Sequence, residues 1–210
     1  MPQNKATQTI LSQTSDIWLA DGSEVRKKTY LASSIGELDH FLEGGLRVGE
    51  ITEWGMPLGQ GGREVLLSYL APQTNHRCSG QWSLWVCGYP ELKVYPPAWQ
   101  ARGVSLEKVC FNYSINPVKE LKPVLWSRFF RLLILDTSYS LTKEEYAFLA
   151  QRARENQQVV VLIKPYFLST NYGNVWAKTR INCRRSVGQN KTYDLEMIKG
   201  ASPRRLKLQH

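Results

Sequence analysis

A glycine-rich turn set between a short apolar strand and a helix start constrains this chain more than any other feature. Residues 44–54 read Gly-Gly-Leu-Arg-Val-Gly-Glu-Ile-Thr-Glu-Trp and run into Gly-Met-Pro-Leu-Gly-Gln-Gly-Gly-Arg-Glu over residues 55–64. This has the form of the strand, turn and helix on which a nucleotide phosphate normally sits. Phosphate chemistry there needs a Lys to reach the outer phosphates and a Ser or Thr hydroxyl to hold magnesium. Gly61 is followed instead by Gly62 and Arg63. The frame is present without its chemistry.

The elements around this turn alternate. Ser34-Ile35-Gly36-Glu37 reads as a capping box, with Ile35, Leu38, Phe41 and Leu42 on one helical face and Gly44-Gly45 ending the helix. Glu50 to Trp54 predicts a strand, and Glu64 to Ala71 a buried helix stopped by Pro72. Strands are expected over Trp82 to Cys87 and Lys108 to Tyr113. Between them Pro96-Pro97 opens a short helix and Gly103 closes it. Asn116-Pro117 starts a helix that Pro123 must end or kink.

Phe129 to Leu135 is an apolar run ending in Asp136, the mark of a strand buried on both faces. Thr142-Lys143-Glu144-Glu145 is a second capping box. Its helix turns Tyr146, Leu149 and Ala153 inward and sets Arg152 and Arg154 near the negative C-terminal end. Val159 to Ile163 predicts a central strand. From there Val175 to Cys183, Thr192 to Ile198 and Arg204 to Leu208 read as strands with no helix between them. The pattern predicts an α/β domain with a mostly parallel central sheet and antiparallel C-terminal strands. Residues 31–210 form that core domain, and residues 1–30 read as a loosely attached arm whose only apolar knot is Ile17, Trp18 and Leu19.

A chain of 210 residues, 42% hydrophobic and 21% charged, fits one globular domain. No apolar run approaches the roughly 20 residues of a membrane helix, and the polar N-terminus lacks a signal-peptide pattern. A cytoplasmic protein with no membrane partner is expected. The cysteines show no paired metal spacing, so no metal site and no cofactor is expected. The net charge of +9 is uneven: nine basic residues after Val175 face only Asp194 and Glu196. Such a patch suits nucleic acid or an acidic partner, and equally a solvated edge strand that blocks aggregation.

The order of these elements resembles the core of RecA, and more closely the ImuA proteins, RecA-like accessory factors of damage-induced mutagenic DNA synthesis. The resemblance runs from about Leu31 to Leu208. It is carried by Leu38-Asp39 leading to Gly44-Gly45-Leu46 and Gly49, by the Glu53 strand, by the apolar strand ending at Asp136, and by Arg180-Ile181-Asn182-Cys183-Arg184-Arg185. Trp82-Ser83-Leu84-Trp85-Val86 and the later Gly103-Val104-Ser105-Leu106 are also similar to SulA, a cell-division inhibitor. The resemblance implies a RecA-like three-layer domain.

Aligned to RecA from Gly44, the phosphate loop falls on Met56 to Arg63. Met56 replaces its first glycine, Gly61 matches the second, Gly62 takes the Lys position and Arg63 that of the metal-holding hydroxyl. Asp136 stands like the acidic residue that orients magnesium, and Glu91, twelve residues before Gly103, like the Glu that activates water. Two retained carboxylates with a lost phosphate grip imply a degenerate site that binds no nucleotide, with Glu91 and Asp136 vestigial. A one-residue shift would let Arg63 act as the phosphate cation, at the cost of Glu64 facing the phosphates.

The segments where RecA carries DNA loops are short. Tyr166, Phe167 and Tyr172 could still stack on bases beside Lys178, Arg180, Arg184, Arg185, Arg204 and Arg205, or simply close the top of the sheet. The leading expectation is a non-catalytic adaptor that binds ImuB, a polymerase-like protein, through Ile17, Trp18 and Leu19. RecA and single-stranded DNA are further candidate partners. The alternatives are a DNA-stimulated ATPase and a SulA-like inhibitor that binds the ring protein FtsZ.

Overall fold

Residues 29–75, 81–92, 94–171, 173–186, 192–200 and 204–209 are described by a computed structural model. Its strands are β1 (Tyr30–Leu31), β2 (Leu46–Arg47), β3 (Ile51–Gly55), β4 (Trp82–Cys87), β5 (Val109–Tyr113), β6 (Phe130–Asp136), β7 (Val159–Lys164), β8 (Ala177–Arg185), β9 (Thr192–Lys199) and β10 (Arg205–Gln209). Its helices are α1 (Gly36–Phe41), α2 (Leu67–Thr74), α3 (Pro96–Gln100), α4 (Pro117–Glu120), α5 (Lys122–Trp126) and α6 (Lys143–Asn156).

One mixed sheet runs in the order β10-β9-β8-β3-β7-β6-β4-β5. From β8 to β5 all neighbours are parallel, and β9 and β10 extend the sheet antiparallel beyond β8. The β-branched run of β7 lies fully buried between β3 and β6, as a parallel strand covered on both faces requires. Alternation divides the core in two. Trp54, Ile134 and Val161 pack with Leu38, Phe41, Leu66 and Leu70 on one face. Leu133, Leu135, Val160 and Leu162 pack with Leu125, Leu149 and Ala153 on the other. Helices therefore flank the sheet on both sides.

Several local expectations are corrected. The N-terminal capping box does not form: the cap of α1 is Ile35, with no side-chain cap bond. The Ser33 N–H donates to both carboxylate oxygens of Asp39 at 2.8 and 3.0 Å, and Ser33 Oγ accepts from the Ile35 N–H at 2.9 Å. The Ser34 N–H is used elsewhere, donating to the Ser68 carbonyl at 2.9 Å. That bond explains a second correction, since Pro72 lies inside α2 and does not stop it. Proline has no N–H for the carbonyl four residues back, which is Ser68, and Ser34 satisfies that orphan.

The expected boundary of the arm also shifts, because Tyr30 already pairs with Arg47 in the β1–β2 ribbon. A side chain at Gly45 would reach within 2.4 Å of the Leu31 carbonyl oxygen at a φ of +114°, so only glycine lets the ribbon close. The second capping box forms in full: Thr142 Oγ1 accepts from the Glu145 N–H, and the Glu145 carboxylate accepts from the Thr142 N–H at 2.8 Å. Among the described residues no helix is long and apolar enough to cross a membrane.

Candidate functional site at the carboxyl edge of the sheet

In open α/β sheets ligands bind outside the carboxyl ends of the strands. Here those ends gather Gly55, Cys87, Asp136 and Lys164 from four neighbouring strands. The glycine turn leaves β3 at this edge and enters a 3-10 turn, Gly62–Leu66, before α2. A side chain at Gly62 would meet the Cys183 carbonyl oxygen at 2.7 Å. The glycines thus serve close packing of the turn on β8.

Arg63 fills the space above Asp136. Its Nε donates to Asp136 Oδ2 at 2.7 Å, its Nη2 to Oδ1 at 2.8 Å, and its Nη1 to the Met56 carbonyl at 2.8 Å. The guanidinium also lies 5.9 Å from the Tyr89 ring centroid. Burial alone would lower the Arg63 pKa, but the bonds and charge of Asp136 outweigh it and hold the guanidinium above its ordinary value. Burial raises the Asp136 carboxyl, and Arg63 reverses only part of that rise. The partners pull in opposite senses because Asp136 is the deeper, with 3% of its side chain exposed against 20% for Arg63. Two bonds below 2.9 Å favour the charged pair. The same surroundings, burial first and then Asp136, push the Tyr89 phenol up to about 12.

Glu64 is held by Arg102 at 3.0 Å and by the Tyr193 hydroxyl. Beside these groups lies a cavity of about 200 Å³ lined mainly by Leu67, Trp85, Leu92 and Trp99, with Arg63 and Asp136 at its wall. Glu91 is exposed in the turn after β4. The Met56 N–H donates to the Lys164 carbonyl, so this position closes the turn onto β7.

A second ionic group occupies the opposite face of the same edge. Glu53 and Arg180 are register neighbours on β3 and β8, joined by a 2.8 Å bond with 4% and 6% of their side chains exposed. Arg180 Nη1 also donates to the Ser169 carbonyl at 2.9 Å. Lys164 is buried alongside, with Nζ 3.3 Å from the Tyr139 carbonyl. Burial lowers its pKa and the charge of Glu53 opposes that shift. Sequence reasoning missed this group, although a Glu in the middle of an apolar strand was a usable signal, since a buried carboxylate demands a partner.

The expected nucleic-acid residues separate. Arg180 is buried and committed to Glu53, which removes it from any surface. Arg184 pairs with Asp194 at 3.6 Å, Arg204 with Glu43 at 2.9 Å and Arg205 with Glu196 at 2.7 Å. Lys178 and Arg185 are exposed, as are Tyr166 and Phe167. The loop carrying those two rings is pinned, because the Asn182 amide bonds both the N–H and the carbonyl of Leu168 at 2.7 and 3.1 Å. Ile17, Trp18, Leu19 and Tyr172 lie outside the described residues. No protein-family model matches the chain, and no curated protein matches it.

Proposed function

We propose that this chain is a non-catalytic adaptor with a RecA-like fold, acting in the cytoplasm to support translesion DNA synthesis after DNA damage. Its partners in this reading are the polymerase-like ImuB, RecA, or both. One observation carries the non-catalytic part: Arg63 is spent on Asp136 and the Met56 carbonyl. A triphosphate with its metal would have to part this pair, expose a carboxylate that is 3% accessible, and accept Glu64 as a neighbour. Arg63 and Asp136 are engaged with each other, so neither is free to hold a phosphate or magnesium.

The order of strands and helices supports the RecA-like reading, with Asp136 ending the strand next to the central β7. The choice of ImuB and RecA rests on the resemblance over residues 31–208 and on the Ile17-Trp18-Leu19 knot as an anchor. Isothermal titration with magnesium-ATP tests the first part, with no binding heat expected up to millimolar nucleotide. Micromolar affinity would overturn it in favour of an ATPase. Retention of ImuB or RecA on the immobilised chain tests the second, with Trp18→Ala expected to weaken capture. Unchanged capture removes the arm from the interface.

A further inference from the structure

The amino edge of the sheet carries a ladder of rings and cations that the carboxyl edge does not use. It starts where β4 and β6 begin. Lys108 Nζ lies 5.1 Å from the Trp82 ring centroid, and Trp82 lies 4.9 Å from Phe129. The turn through Ser127 and Arg128 leads back to Trp126, whose ring is 6.4 Å from that of Phe148 on α6. Lys122 sits over both of these rings at 5.8 and 5.7 Å, and Arg152 at 5.5 and 5.9 Å. The turn is held in place, because the amides of Asn156 and Gln158 donate to the carbonyls of Trp126, Ser127 and Phe130.

Two properties of this ladder point to one ligand. Trp126 and Phe129 remain 55% and 54% exposed, so each offers apolar ring surface to solvent. Lys108 and Lys122 lean on rings, which leaves their charge uncancelled, whereas Arg152 is paired with Glu155 at 2.7 Å. Rings alternating with cations suit a chain that alternates planar bases with phosphates. A duplex hides its base faces from such rings. A membrane surface calls for a continuous apolar face, and here cations interrupt the rings.

We propose that this ladder binds single-stranded nucleic acid, with bases stacked on Trp126 and Phe129 and phosphates on Lys122 and Arg128. The proposal stands independently of the adaptor reading, because it uses none of the same residues.

Fluorescence anisotropy of the full chain tests it, using labelled oligothymidylate and oligouridylate of 20 nucleotides, a duplex of equal length, and phosphatidylserine vesicles. Single strands should bind more tightly than duplex, with affinity falling steeply as salt rises. Trp126→Ala and Phe129→Ala should each weaken binding by about fivefold or more with the salt slope unchanged. Arg128→Glu should lower both affinity and slope. Lys207→Glu, at an exposed position of β10, should leave binding intact. Oligothymidylate against oligouridylate tells DNA from RNA as the source of the strand.

Absent oligonucleotide binding, equal binding to duplex, binding to vesicles alone, or ring variants without effect would each overturn the proposal. If Trp126→Ala does not fold, Arg128→Glu and quenching of the native tryptophan fluorescence by oligothymidylate decide instead. Failure of both overturns it as well.

Discussion

Both edges of the sheet gather cations and treat them in opposite ways. At the carboxyl edge Arg63 and Arg180 are closed onto Asp136 and Glu53 with hydrogen-bond geometry, and their carboxylates are almost wholly buried. At the amino edge Lys108 and Lys122 lie over aromatic rings that stay partly open to water. A fork on a carboxylate cancels a charge and fixes a side chain. A cation over a ring keeps its charge and fixes little. The strongly basic composition is therefore a poor guide to where this molecule meets an anion. What separates a structural cation from a binding one is the partner it already has.

The sharpest way to break this comparison is at Glu53 and Arg180. Replacing Arg180 with Met leaves a carboxylate buried without a partner, which should cost about 3–5 kcal/mol in urea denaturation. The double replacement Glu53→Met with Arg180→Met should recover most of that loss, because two apolar chains of similar volume need no counter-charge. If the single and double variants unfold alike, the pair is not acting as a closed unit and the contrast between edges fails here.

Arg63 gives the next largest effect. Arg63→Met removes two charge-assisted bonds to Asp136 and should lower stability by about 2–3 kcal/mol. Asp136→Asn should cost less in the Arg63→Met background than in the native chain, since contacting residues couple. Lys122→Met at the amino edge should change stability by less than about 0.5 kcal/mol, as expected of a surface cation without a carboxylate partner. Equal losses at the two positions would erase the distinction. Under the proposed adaptor reading, magnesium-ATP should bind Arg63→Met no better than the native chain, because the substitution adds neither a Lys nor a hydroxyl to the turn.

Much of this arrangement could be read from the sequence, and what could not has a common cause. The β-branched run from Val159, the apolar run into Asp136 and the full capping box at Thr142 each depend on residues close in the chain. They emerge where expected. The box at Ser34 failed because Ser68, distant in sequence, takes the Ser34 N–H. Pro72 stayed inside its helix through the same contact. At the site, the sequence shows that Gly62 and Arg63 follow Gly61, so neither a Lys nor a hydroxyl stands there. The closure of Arg63 onto Asp136 spans 73 positions, and that of Arg180 onto Glu53 spans 127. No periodicity encodes a pairing across strands, so Arg180 was read as a surface cation when it is a core one.

A smaller effect links the edges through α6, which is capped by Thr142 near the carboxyl edge and brings Phe148 and Arg152 to the amino edge. Thr142→Ala removes the hydroxyl that accepts from the Glu145 N–H and should cost about 1 kcal/mol. Hydrogen exchange should then quicken in the first turn of α6 while the amides of β3 and β8 keep their protection. Faster exchange across β3 and β8 as well would mean that the edges open together.

The finest test concerns Lys164, a cation at the carboxyl edge whose charged form is disfavoured there. Burial holds its ammonium below the ordinary lysine value of 10.5, with only partial compensation from Glu53. The unfolded chain therefore binds this proton more tightly than the folded one. Between the folded pKa and 10.5, the unfolded state carries more of the proton, so stability contributed by this group rises as pH increases through that window. Lys164→Met abolishes the term and should flatten the climb, with the native chain and the variant diverging most below it and converging toward pH 10.5. Lys122→Met should leave the slope of the native chain unchanged. If Lys164→Met follows the native pH profile, the ammonium is already as well accommodated as in water, and the carboxyl edge is less sealed than its two carboxylate pairs imply.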